Sequence, residues 1–143
     1  MSQTAVQQAT IYMGTVDASA TPLAFWRAPC QCLIESIHLL TSSAIAADAA
    51  NIHTSTVTNR GVAAAGSDVV ATQTTDSDVA GSAAIVAKTP WALVMSSTLA
   101  NREVAAGEVL EIAPTEGGTA TSGDLANASY VINYRVGTGV GYA

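Results

Sequence analysis

Two runs near the C-terminus, Glu108–Thr115 and Ala126–Val136, constrain this chain most. In the first, Leu110 and Ile112 fall on one side, with Val109 and Glu111 opposite. In the second, Tyr130, Ile132, Tyr134 and Val136 fall opposite Val131, Asn133 and Arg135. A hydrophobic period of two over strand length is the mark of a half-buried β-strand, because successive side chains leave a strand on opposite faces. An Ala105-Ala106-Gly107 turn introduces the pair and a Gly/Thr/Ser loop separates them. A fold that accommodates both is a β fold.

The rest of the chain repeats the pattern less clearly. Strands are expected over Ala9–Val16, Leu23–Ala28, Gln31–Ser42, Asn51–Asn59, Asp68–Thr75 and Trp91–Thr98, with a further short one at Ala83–Ala87. Turn residues lie between them: Asp17 to Pro22, Pro29, Asn59-Arg60-Gly61 and Asp76-Ser77-Asp78. Gln31–Ser42 is apolar on both faces, with Cys32, Ile34 and Leu40 on one and Leu33, Ile37 and Leu39 on the other; it reads as a central strand covered on both sides. Ser43–Ala50 is alanine-rich and fits one or two helical turns or a loop equally well. Eight or nine short strands without a long helix predict a single-domain, all-β, antiparallel sandwich or barrel. The expected organisation is a polar N-terminal arm over residues 1–9, a domain over 10–136 and a flexible glycine tail over 137–143.

Composition narrows the function. Apolar residues make up 49% of the 143 positions, yet charged residues only 11%, against about 25% in ordinary soluble domains. A surface this poor in charge is expected to be covered in part by neighbours, which points to an oligomer or a component of an assembly. The net charge is −6, and Arg27, Arg60, Lys88, Arg102 and Arg135 stand singly. Binding phosphates requires converging cations, so neither nucleic acid nor an anionic membrane is an expected partner. The opening MSQTAVQQAT has no basic stretch followed by an apolar one, so a secretory route is not expected.

Chemistry-bearing residues are few. Cys30 and Cys32 sit two apart, a spacing on a strand that disfavours a disulfide, and they are expected as free thiols in a reducing compartment. His38 and His53 lack neighbours at ligand spacing and read as hydrogen-bonded structural residues. No Gly-x-Ser-x-Gly elbow accompanies them. Asp76-Ser77-Asp78 begins like a calcium loop, but the later carboxylates are missing, which leaves a solvated turn. The terminal Gly137–Gly141 run has no helix after it to bind phosphate, and the Asn127-Ala128-Ser129 sequon has no secretory context. Trp26 and Trp91 are expected to fill core volume, with sugar stacking as the alternative. No catalytic, cofactor-binding or metal-binding residue is assigned, and the chain is not expected to be an enzyme.

The order of several phrases resembles a family. Arg27-Ala28-Pro29 precedes the Ile/Leu strand Cys32–Leu40; the Thr-rich strand Thr54–Thr58 follows. Val104-Ala-Ala-Gly-Glu-Val-Leu-Glu-Ile112 then leads to a closing strand that ends in Tyr134-Arg135-Val136. Over most of residues 9–137 this is similar to the small β-sandwich head decoration, or cement, proteins of tailed bacteriophages. The resemblance implies a jelly-roll-like sandwich, commonly trimeric, bound to the major capsid protein on the outer surface of the virion. It also implies synthesis in the host cytoplasm and terminal segments 1–9 and 137–143 that act as latching arms. The alternatives are a carbohydrate-binding sandwich on a virion or cell surface, or a small enzyme using Cys30, Cys32 or a histidine.

Overall fold

The computed structural model describes residues 5–118 and 123–137, and every long element in them is a strand. The strands are β1 (Val6–Val16), β2 (Ala24–Arg27), β3 (Cys32–Leu40), β4 (Asn51–Asn59), β5 (Asp68–Thr74), β6 (Trp91–Ala92), β7 (Val94–Met95), β8 (Glu103–Val104), β9 (Val109–Gly118) and β10 (Leu125–Val136). Ten strands thus stand among the described residues where eight or nine were expected, three of them only two residues long. Two single 3-10 turns, Ala18–Ala20 and Leu99–Arg102, are the helical content there.

The strands form two antiparallel sheets packed face to face. The first has the order β1-β10-β3-β6, with β8 pairing the same edge of β3 further along; the second has the order β2-β9-β4-β5-β7. Every connection except the β4–β5 hairpin passes from one sheet to the other. That alternation, with the last strand inserted between the first and the third, is the jelly-roll arrangement of a sandwich. The all-β sandwich expected from the strand spacing is therefore the fold.

Bulges explain where the alternation misleads. Asn133 pairs with Ser36 and Tyr134 with Ile34, so Glu35 is an extra residue in β3. A bulge of this kind reverses the parity of every residue beyond it. Cys32 and Ile34 face inward before Glu35, Ile37 and Leu39 face inward after it, and Leu40 turns out to solvent. The strand is central in its sheet but covered on one face, which corrects the expectation of cover on both. A second bulge places both Val70 and Ala71 of β5 in the core.

Two other expectations change. Trp91–Thr98 is not one strand: β6 pairs with β3 in the first sheet, and β7 pairs with β5 in the second. Leu93 sits buried at the crossing, donating its N–H to the Ile37 carbonyl. The ambiguous Ser43–Ala50 and Ala83–Ala87 segments answer each other, since Ile45 and Ile85 form an isolated antiparallel bridge and both are buried. Residues 6–9, assigned from sequence to the arm, pair with Arg135–Ile132 along β10. Of the expected arms, residues 1–4 and 138–143 lie outside the described residues.

The turn before β9 holds as read. Gly107 takes φ +86°, a left-handed value that a side chain resists, and the Glu108 carboxylate accepts the Ala105 N–H and an Asn59 amide proton. The core between the sheets is built from Ile34, Ile37, Leu39, Tyr130 and Ile132 on one side and Val57, Leu110 and Ile112 on the other. Full burial of each such side chain stabilises the fold by about 1.5–3 kcal/mol. The bulge yields a direct test. Ile34→Ala and Ile37→Ala should each cost about 2–5 kcal/mol in denaturant unfolding, whereas Leu40→Ala, at 38% exposure, should cost less than about 1 kcal/mol. An unbulged strand would instead make Ile37 tolerant and Leu40 sensitive.

Candidate functional site

The most concentrated polar chemistry lies between the sheets. His53 and Ser55, two residues apart on β4, both point inward and are fully buried. His53 Nε2 lies 2.9 Å from Ser55 Oγ, and Ser55 Oγ lies 2.6 Å from the hydroxyl of Tyr130 on β10 in the opposite sheet. Trp91 covers the imidazole, with ring centroids 5.7 Å apart and planes tilted by 57°. The His53 main-chain N–H donates to Thr75 Oγ1 at 2.9 Å. Among the described residues, His53 Nδ1 has no hydrogen-bond partner.

Donor counting orients the chain of bonds. If Tyr130 donates to Ser55 and Ser55 donates to His53 Nε2, only the Nδ1 proton is left without a partner. If Nε2 carries the proton instead, one hydroxyl donor and the bare Nδ1 are both left over. Burial penalises an unpaired group, so the first arrangement is favoured. Burial also pushes the His53 pKa down from 6.5 to about 4 and the Tyr130 hydroxyl well above its ordinary value. The histidine is therefore neutral at physiological pH.

The Ser55–His53 distance matches that of a nucleophile and its base, but neither side chain reaches solvent, and the third partner is a phenol rather than an orienting carboxylate on Nδ1. What this arrangement does is join two sheets through hydrogen-bonded side chains. His53 is hydrogen-bonded, as expected of it. Its partners Ser55 and Tyr130 were not singled out, and their separation of 75 residues carries no local signal.

The other named residues are dispersed. His38 lies on the outer face of β3, in a shallow depression with Gln8, Leu40, Pro90, Val131 and Asn133. Cys30 is half-buried and Cys32 fully buried, both unbridged; burial, then the neighbouring Cys30 and Glu108, raises the Cys32 pKa to about 11. Asp76 accepts the Asp78 N–H in a local turn, and among the described residues no three acidic, cysteine or histidine side chains converge on a metal position. Trp91 is buried with its indole N–H on the Ala83 carbonyl, and Trp26 packs against Tyr134 across the sandwich, ring centroids 5.1 Å apart and planes tilted by 49°. Asn127, of the sequon, donates to Ser42 Oγ.

The outward face of the second sheet is rich in threonine. Thr54 and Thr56 of β4 bond through their hydroxyls to Thr74 and Thr72 of β5, at 3.0 and 3.1 Å. Thr115 and Ala113 continue these rows on β9, and Val94 and Phe25 flank them, each 57% exposed. Glu111 on this face is paired with Arg60 at 2.7 Å. A shallow depression opens here under the loop Asp76–Gly81. No protein-family model matches this chain, and no curated protein or solved structure matches it either.

Two predictions follow from burial. Between pH 6.5 and about 4 the unfolded chain takes up a proton at His53 that the folded chain refuses, so stability is complete above 6.5, declines as pH falls from there, and levels off below about 4. The loss is on the order of 3 kcal/mol, and His53→Gln should flatten that part of the pH dependence in denaturant titrations. Iodoacetamide should alkylate Cys30 in the native protein while Cys32 reacts only in urea, a difference that intact-mass spectrometry resolves; equal native labelling would contradict the burial.

Proposed function

We propose that this protein is a structural virion component that binds the outer surface of an assembled phage capsid and stabilises it. The outward face of the β2-β9-β4-β5-β7 sheet is the contact surface. The single observation that carries the reading is the chemistry of that face: rows of threonine, flanking Phe25 and Val94, and an ion pair that satisfies Glu111 internally. A chain of net charge −6 that lays threonine rows, Phe25 and Val94 along this face, with Glu111 paired to Arg60 and Arg27 at its β2 margin, is suited to lie against protein. The jelly-roll sandwich, a form shared by viral capsid and lectin domains, agrees with this role, as does the resemblance of residues 9–137 to decoration proteins. The major capsid protein is the partner, together with other copies of this chain, and the protein performs no chemistry.

Stabilisation would come from mass action. A protein that binds only the assembled lattice lowers its free energy by about 2.7 kcal/mol per site at a free concentration one hundred times Kd, and the effect is summed over the shell. The test is co-sedimentation with assembled capsids. Phe25→Asp/Val94→Asp should weaken binding at least about tenfold, since the added charges are desolvated in the contact, while the melting temperature stays unchanged. Wild-type protein that remains in the supernatant would overturn the reading.

The depression on the first sheet favours a second reading, a carbohydrate-binding module. Gln8, His38 and Asn133 line it with hydrogen-bonding groups, and Tyr12 lies on the same face at 68% exposure. Saturable quenching of tryptophan fluorescence by bacterial glycans would favour that reading over a purely structural one.

A further inference from the structure

The first sheet ends on β1, an edge strand that carries no charge. Among the described residues nothing pairs with β1 on the side away from β10, so one row of its backbone donors and acceptors is open. Folded proteins normally guard such an edge with lysine, proline, a bulge or brevity, because an open row of N–H and C=O groups is a template for another strand. Here the guards are confined to one end. Bulges at Gly14, which takes φ +73°, irregularise the strand after Tyr12, but Val6 through Tyr12 pair with β10 in unbroken register. The first charged residue of the chain is Asp17.

The segment Val6-Gln7-Gln8-Ala9-Thr10-Ile11-Tyr12 is also complementary to itself. In an antiparallel pair centred on Ala9, Val6 stands opposite Tyr12 of the second copy, and Gln8 stands opposite Thr10. Val6 and Tyr12 are 50% and 68% exposed in the single chain. A β-branched residue opposite an aromatic one is among the favourable cross-strand pairs. The uncharged segment brings no like charges together, which matters for two copies that each carry −6. Ile11, only half covered on the inner side of the edge, gains cover from the same pairing.

We propose that two copies of this chain join edge to edge through Val6–Tyr12 of β1, about a two-fold axis at Ala9, which fuses their first sheets into one. The contact is isologous, each copy offering the same surface. A three-fold assembly through β1 would need a different receiving edge, and the other edge strands among the described residues, β2, β6, β7 and β8, span four residues or fewer. The proposal does not depend on capsid binding, and its test uses the protein alone.

The test is the mass in solution of the full chain, by light scattering and analytical centrifugation at micromolar concentration. Wild type should sediment at twice the chain mass of 14.4 kDa. Val6→Lys/Tyr12→Lys sets lysines opposite each other in both cross-strand positions and should raise the dimer Kd at least about tenfold, although it lowers the net charge to −4 (−6 plus two) and so weakens overall repulsion. Val6→Glu/Tyr12→Lys sets opposite charges in the same positions, leaves the net charge at −6, and should keep Kd within about threefold of wild type. Both sites are exposed, so equal melting of the two variants at low concentration shows that the fold is intact. A monomeric or trimeric wild type, or equal effects of the two double variants, would overturn the proposal.

Discussion

A sandwich built largely from alanine, valine and threonine has few large side chains with which to set how its sheets lie on one another, and much of that task falls to Tyr130. Its ring is fully buried at the centre of the first sheet, and its hydroxyl meets Ser55 of the second sheet at 2.6 Å. The bond is directional where dispersion is not, so it selects one relative placement of β10 and β4 from the many that apolar contact alone would tolerate. His53 and Trp91 complete the cluster, and the tilted Trp26–Tyr134 contact marks a second meeting point between the sheets. Breaking the Tyr130–Ser55 bond would leave a buried hydroxyl unpaired at a cost of about 1–3 kcal/mol, which makes the alternative placements unfavourable as well as loosely packed.

How legible this was from sequence depends on whether the governing interaction is local. The strands around Leu110–Ile112 and Tyr130–Val136 were legible because their inner and outer residues alternate without interruption. β3 was misread because its bulge at Glu35 is set by pairing with β10, about a hundred residues away; without that partner, a parity switch looks like two apolar faces. The Trp91–Thr98 run had the composition of one strand, and only the positions of β3 and β5 divide it between two sheets. Ile45 and Ile85 could not be placed from their own neighbourhoods because each is the other's partner.

The same division holds for chemistry. His53 was legible as a structural histidine from the lack of ligands around it, yet the relay it belongs to is assembled across two sheets. The surface was legible mainly through composition: a chain with 11% charged residues must leave broad areas without charge, but not where. In the folded protein these areas are ordered into a threonine-rich face on one sheet and an uncharged edge strand on the other, two surfaces of different kinds. The face offers side chains and the edge offers backbone.

The crossing at Leu93 has a mechanical consequence. Two residues before it are bonded into one sheet and two residues after it into the other, so a single extended stretch is stitched through both layers. Force that tends to slide or lift one sheet from the other is carried there by covalent chain rather than by side-chain contact alone.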